Sequence, residues 1–176
     1  MKHLSVILTA SALAMILLGA CPTPARAKYS IQEEIDIDAA PEKTWAVLTD
    51  LPSWPEWNPF IRYAHGALEK GNLIDVEVRP NGAKPLKGKG KVLVLEPPRE
   101  MVWVATVLGS WVFRGEHHFA VEPLPGGKSR FVQSESFSGM LAPFLHGKIN
   151  RETKPGFAAM NSALKQRVEG QGSGHQ

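Results

Sequence analysis

Cysteine is all but missing: Cys21 is the only one in 176 residues. No disulfide can therefore form within the chain, and no C-x-x-C metal or redox pair exists. The H-E-x-x-H, G-x-S-x-G, G-x-G-x-x-G and P-loop patterns are also absent, which removes the usual signatures of zinc proteases, serine hydrolases and nucleotide binders. His117 and His118 are adjacent, and neighbouring side chains on a strand point to opposite faces, so the pair cannot close on one ion. The residues imply neither a metal nor a cofactor. An excess of one charge is lacking too. The formal charge is +3, and with Lys2 and Arg26 removed the 20 basic residues become 18 against 17 acidic. A nearly neutral domain carries no nucleic-acid footprint.

Long apolar runs are confined to the start of the chain. Lys2 is followed by the apolar stretch Leu4 to Leu18, and Pro22 and Pro24 then break any helix. Residues 1–27 read as a targeting segment outside the fold. Two processing sites compete within it. Ala25-Arg26-Ala27 is an A-x-A cleavage site ahead of Lys28. Leu18-Gly19-Ala20-Cys21 has the form of a bacterial lipobox, whose cysteine is lipidated and tethers the protein to a membrane. A lone transmembrane anchor is a third reading, disfavoured by the shortness of the span and the prolines after it. All three place the domain outside the cytoplasm, in a bacterial periplasm or as a membrane-tethered lipoprotein. Residues 28–170 form that domain, and 171–176 a loose polar tail.

What is present is a regular strand pattern. Tyr29 to Asp38 alternates isoleucines with acids, and Ala39-Ala40-Pro41-Glu42 opens a helix in which Trp45 and Leu48 face inward. Ser53-Trp54-Pro55-Glu56 has the form of a capping box, predicting a very short second helix over Ser53 to Asn58. From Phe60 the chain reads as an antiparallel meander: Phe60 to Ala67, Leu73 to Arg79, Leu86 to Glu96 and Glu100 to Leu108, separated by Gly, Asn and Pro turns. Lys87, Lys89 and Lys91 share a parity and read as a solvated strand guarding a sheet edge, rather than as a site for anionic lipid. Met140 to Gly147 is apolar and irregular or part-helical. Phe157, Met160, Leu164 and Val168 then recur at helical spacing, with Pro155-Gly156 at the start or at a kink of that helix.

The centre of the chain is Trp111 to Gly139, two long strands about a Pro/Gly turn. Phe113, His117, Phe119 and Val121 share one face of the first, and Phe131, Gln133, Glu135 and Phe137 one face of the second. A turn at Leu124 to Lys128 that pairs Pro123 with Ser129 keeps both apolar faces on one side. It makes His117 and Glu135 cross-strand neighbours. Beyond the hairpin, a curved sheet closed by a helix leaves a cavity, the default place for a ligand. The exposed pair Trp54 and Trp57 would mark its portal.

The stretches Ile35 to Phe60, Leu95 to Trp103, Gly115 to Leu141 and Gly156 to Glu169 resemble the SRPBCC (START-like, helix-grip) superfamily, in its polyketide cyclase/dehydrase-like branch. The resemblance spans Tyr29 to about Glu169. It implies an α+β helix-grip fold: a curved seven-stranded antiparallel sheet, two short helices after the first strand, and a long C-terminal helix over a hydrophobic cavity. It also implies a partner that is a hydrophobic small molecule or lipid, or a polyketide chain to be cyclised and dehydrated. The expected ligand-binding set is Trp103, Trp111, His117, Phe119, Gln133, Glu135, Phe137, Phe157 and Met160. The leading expectation is an exported, non-catalytic carrier or sensor. The alternative is a cyclase or dehydratase in which His117 is general acid/base and Glu135 raises its pKa. A protein-binding module using Trp54 and Trp57 is the third.

Overall fold

The computed structural model describes residues 29–170. The targeting segment, including Cys21, and the polar tail lie outside the described residues. Seven strands form one antiparallel sheet: β1 (Tyr29–Ile37), β2 (Ile61–His65), β3 (Leu73–Val78), β4 (Leu86–Glu96), β5 (Glu100–Val107), β6 (Phe113–Leu124) and β7 (Lys128–Ser138). Their order is β1-β7-β6-β5-β4-β3-β2. The meander from β2 to β7 makes neighbours of consecutive strands, and β1 returns to pair with β7. The sheet curls into a half-barrel, so one face is concave.

Helices α1 (Pro41–Thr49) and α2 (Trp54–Trp57), bridged by a 3₁₀ turn at Leu51–Ser53, close one end of the half-barrel. Pro41 occupies the first turn of α1, where its missing N–H costs nothing. The capping box expected at Ser53 does not form. Its hydroxyl bonds the carbonyl of Asp50 and no backbone N–H of the next turn, because Ser53 already belongs to the preceding 3₁₀ turn. The apolar run after β7 becomes a full helix, α3 (Ala142–Glu152), and α4 (Lys154–Gly170) follows at once. Pro155 and Gly156 start α4 and do not kink it. Gly156 permits a close crossing: a methyl group there would lie 2.1 Å from the Phe60 ring. The stripe Phe157, Met160, Leu164 and Val168 is fully buried.

Two expectations fail for reasons of burial and topology. Trp54 is completely buried, its indole N–H bonding the carbonyl of Leu48 at 2.9 Å, so it offers no surface to a portal or partner. Trp57 is half-buried beside it. The lysine strand β4 is not an edge, since it lies between β3 and β5. Lys87 and Lys89 are indeed solvated on the outer face, where they pair with Glu77 and Asp75 of β3.

Candidate site: a cavity holding an unpaired carboxyl

The β6–β7 hairpin folds in the register that its apolar faces require, with Pro123 opposite Ser129, Val121 opposite Phe131 and His117 opposite Glu135. Inward residues of β3 to β7 then surround a cavity of about 360 Å³ whose helical wall is α3. Trp103, Phe113 and Phe137 supply aromatic walls, Leu145 and Ile149 the helical side, and His117 and Glu135 the inner polar groups. Part of the space exists because β4 and β6 carry glycine inward. Gly88 and Gly90 alternate with the outward lysines, and a side chain at Gly88 would meet only open space. A wider depression of about 750 Å³ lies on the outer face between β2 and β4. It is an open groove whose Asp75 and Glu77 are matched by Lys89, Lys87 and Arg79.

His117 is held rigidly. Its ring stacks on Phe119 (centroids 4.1 Å apart) and on Phe157 (4.8 Å), with Trp103 edge-on. The Gln133 amide N–H donates to Nε2 at 2.9 Å, which leaves the proton of the neutral ring on Nδ1. The same amide nitrogen reaches Met160 Sδ at 3.4 Å. Burial disfavours the imidazolium and pushes the pKa down to about 3, with the charge of His118 adding to the effect.

Glu135 points into the cavity and makes no hydrogen bond or ion pair among the described residues. It borders the cavity and is half-buried. Desolvation pushes its carboxyl up to about 8. The two groups are cross-strand neighbours without a hydrogen bond between their side chains. The expectation that Glu135 raises the His117 pKa is overturned, because burial lowers it and both groups are uncharged near pH 7. His118, on the opposite face, sits between Glu116 (3.0 Å) and Glu100 (3.4 Å) near the surface.

Of the nine expected ligand-binding residues, Trp103, His117, Glu135 and Phe137 line the cavity. Phe119, Gln133, Phe157 and Met160 are fully buried behind it, where they fill the core and steer His117. Trp111 turns outward and is 63% exposed. Sequence reasoning missed the α3 wall and the inward glycines. The parity of Gly88 and Gly90, opposite to that of the lysines, was the signal that could have found the latter. Among the described residues no group of three or more potential ligands could hold a metal.

Residues 28–169 match the family model described as polyketide cyclase / dehydrase and lipid transport. The chain belongs to that family. Among curated proteins none matches it by sequence. Solved structures share the fold of this cyclase/dehydrase and lipid-transport member. An aromatase/cyclase from a Streptomyces species superposes with a TM-score of 0.71 at 12% identity, over 84% of this chain and 98% of that one. A Thalictrum flavum norcoclaurine synthase point mutant, bound to a transition-state analogue, gives 0.67 at 17% identity, over 85% and 99%. A START superfamily protein from Mycobacterium smegmatis gives 0.62 at 17% identity, over 81% and 98%. These likenesses are of fold: each covers more than four fifths of the chain at under 20% identity.

Proposed function

We propose that the protein is an exported carrier or sensor of a hydrophobic small molecule or lipid, bound in the cavity with its polar end at Glu135. The observation that carries this reading is a carboxyl without a partner, facing a space of about 360 Å³ whose inner walls are largely aromatic and aliphatic. A buried polar group left unpaired costs roughly 1–3 kcal/mol, and a ligand that supplies the missing hydrogen bond recovers it. The protonated carboxyl both donates and accepts, which suits a hydroxyl or carbonyl at the end of an apolar body. His117, held neutral by Gln133 and burial, forms the adjoining wall. Export rests on residues 1–27, and a tether rests on Cys21.

Native mass spectrometry of the protein from the membrane and soluble fractions of its own cells tests both parts together. The reading expects a non-covalent apolar ligand, and the mass of the N-terminus distinguishes cleavage before Lys28 from a lipid on Cys21. Protein that comes off the cells empty, and then takes up no fluorescent fatty acid, would refute cavity binding.

One observation favours a second reading. A carboxyl with a pKa about 8 facing a cavity is suited to proton transfer near neutrality. In a cyclase or dehydratase built this way Glu135, rather than His117, would move the proton. Turnover of a poly-β-ketone thioester by the wild type and not by Glu135→Gln would establish it.

A further inference from the structure

The rim of the cavity continues into an apolar surface that the ligand-binding reading leaves unused. Val107, at the end of β5, lines the cavity and is itself exposed. It leads directly into the β5–β6 loop, where Leu108 is 82% exposed and Trp111 63%. Backbone bonds tie this loop to the start of α3: Met140 N–H donates to the Trp111 carbonyl at 3.0 Å, and Leu141 N–H to the Val112 carbonyl at 3.0 Å. Met140 and Leu141 are exposed as well, and Phe144, one turn further on, is 81% exposed. Two segments distant in sequence thus present large apolar side chains side by side at one mouth. Contiguous apolar surface of this kind marks an interaction site.

Leu108 sharpens the point. Its φ of +53° lies in the left-handed region that a leucine rarely adopts. A bulky residue is held in an unfavourable backbone conformation to deliver its side chain to water, and strain of this sort concentrates at functional surfaces.

The composition around the patch points to lipid. On α3 the exposed face runs Phe144, Lys148, Arg151 at helical spacing, with side chains of the two bases 61% and 72% exposed. Lys87, at the start of β4, also borders the cavity but is paired with Glu77, and the β3–β4 loop bonds the end of α3 through Asn81 N–H and the Glu152 carbonyl. Against them stands Glu152, which Lys148 and Arg151 share. Trp, Leu and Phe bordered by Lys and Arg is the composition of an interfacial surface, and the bases suit anionic headgroups.

The chain also enters the domain on this side. The ring of Tyr29, first residue of β1, packs edge-on against His146 of α3 with centroids 4.0 Å apart, and its hydroxyl bonds Asn150. Cys21 lies eight residues earlier, a reach of roughly 26–29 Å when extended. A lipid on Cys21 would hold the side of the domain that carries Tyr29 and α3 within that distance of a bilayer.

We infer that Leu108, Trp111, Met140, Leu141 and Phe144 form a docking surface for an anionic lipid bilayer, which sets the cavity mouth against the membrane. This does not depend on the identity of the cavity ligand.

The test uses the full chain on vesicles of phosphatidylcholine and phosphatidylglycerol containing acyl-brominated lipid. Trp111 emission is isolated as the difference between wild type and Trp111→Tyr. The inference expects a blue shift and loss of that emission on brominated vesicles. It expects both effects to shrink in Leu108→Ser/Phe144→Ser, and not in Leu73→Ser, another exposed leucine outside the patch. Hydrogen exchange should slow over residues 107–112 and 140–148 only when vesicles are present. Trp111 emission that bromine leaves untouched while the chain is vesicle-bound would overturn the proposal. So would protection of the same segments that rises with protein concentration in the absence of lipid, since a second copy would then be the occupant.

Discussion

Glu135 lies over the bare Cα of Gly115. The two are diagonal neighbours across β6 and β7, and a methyl group at position 115 would sit 2.5 Å from Glu135 Oε1. The carboxyl is the far end of a flexible side chain with open cavity beside it, so it can swing away from an added methyl. Gly115→Ala should therefore change unfolding stability by less than about 1 kcal/mol. It should weaken uptake of a fluorescent fatty acid by about tenfold, the value of one misplaced hydrogen bond. In a Glu135→Ala background the same substitution should have no further effect on uptake. Equal losses in both backgrounds would mean that Gly115 matters for the shape of the cavity and not for the carboxyl.

The two neutral groups make opposite demands on pH. Glu135 has a folded pKa raised to about 8, so its share of stability is present at acid pH and lost as pH rises from the ordinary carboxylate range to about 8. His117 has a folded pKa lowered to about 3, so its share is present above the ordinary histidine value and lost as pH falls from there. Each group contributes at most about 1.4 kcal/mol per pH unit inside its window. Urea denaturation between pH 5 and pH 8 should show wild-type stability falling toward pH 8 relative to Glu135→Gln, which removes the first demand. Parallel profiles for the two proteins would show that the carboxyl is already ionised in the fold.

Trp54 anchors the closed end of the half-barrel. Its ring lies 5.9 Å from Trp103 and 6.3 Å from Phe119, and its N–H is bonded within the core. Trp54→Ala should cost about 3–5 kcal/mol, in the range for a buried aromatic. Trp57→Ala should cost clearly less, since that residue is only half-buried. Denaturant midpoints with unchanged slopes would measure both, and a Trp54→Ala protein of wild-type stability would contradict the packing described here.

The contrast between Trp54 and Trp111 shows what could be read from the chain without its fold. Strand parity has only two values, so the hairpin register and the inward positions of His117 and Glu135 followed once one turn was placed. The order of strands and the buried stripe of α4 were legible for the same reason, as local periodicities. Exposure of a single tryptophan is not periodic information. Trp54 is buried and Trp111 is exposed because of what β5, β6 and α1 bring to them. Likewise Gln133, rather than Glu135, became the partner of His117. The hairpin aligns backbones, but the packing of Phe119, Phe157 and Met160 decides where each side chain turns. The α3 wall was illegible because Met140 to Gly147 carries Pro143 and Gly147 and presents an apolar face to water, contrary to the pattern of a core helix.

Leu108 offers a separation of stability from surface function. At φ +53° and 82% exposed, it contributes little packing to offset its backbone strain. Leu108→Gly relieves roughly 1–2 kcal/mol of left-handed strain and gives part of it back as extra freedom of the unfolded chain. Leu108→Asn tolerates the same φ with less of that loss. Both variants should raise the denaturation midpoint by the equivalent of about 0.5–1 kcal/mol, while ligand uptake in the cavity stays unchanged. Both should also reduce the quenching of Trp111 by brominated lipid. A leucine retained against its own backbone preference, and dispensable for folding and for cavity binding, has its role at the surface it faces. If either variant unfolds more easily than the wild type, Leu108 is a packing residue after all, and the strain at this loop is no evidence for membrane contact.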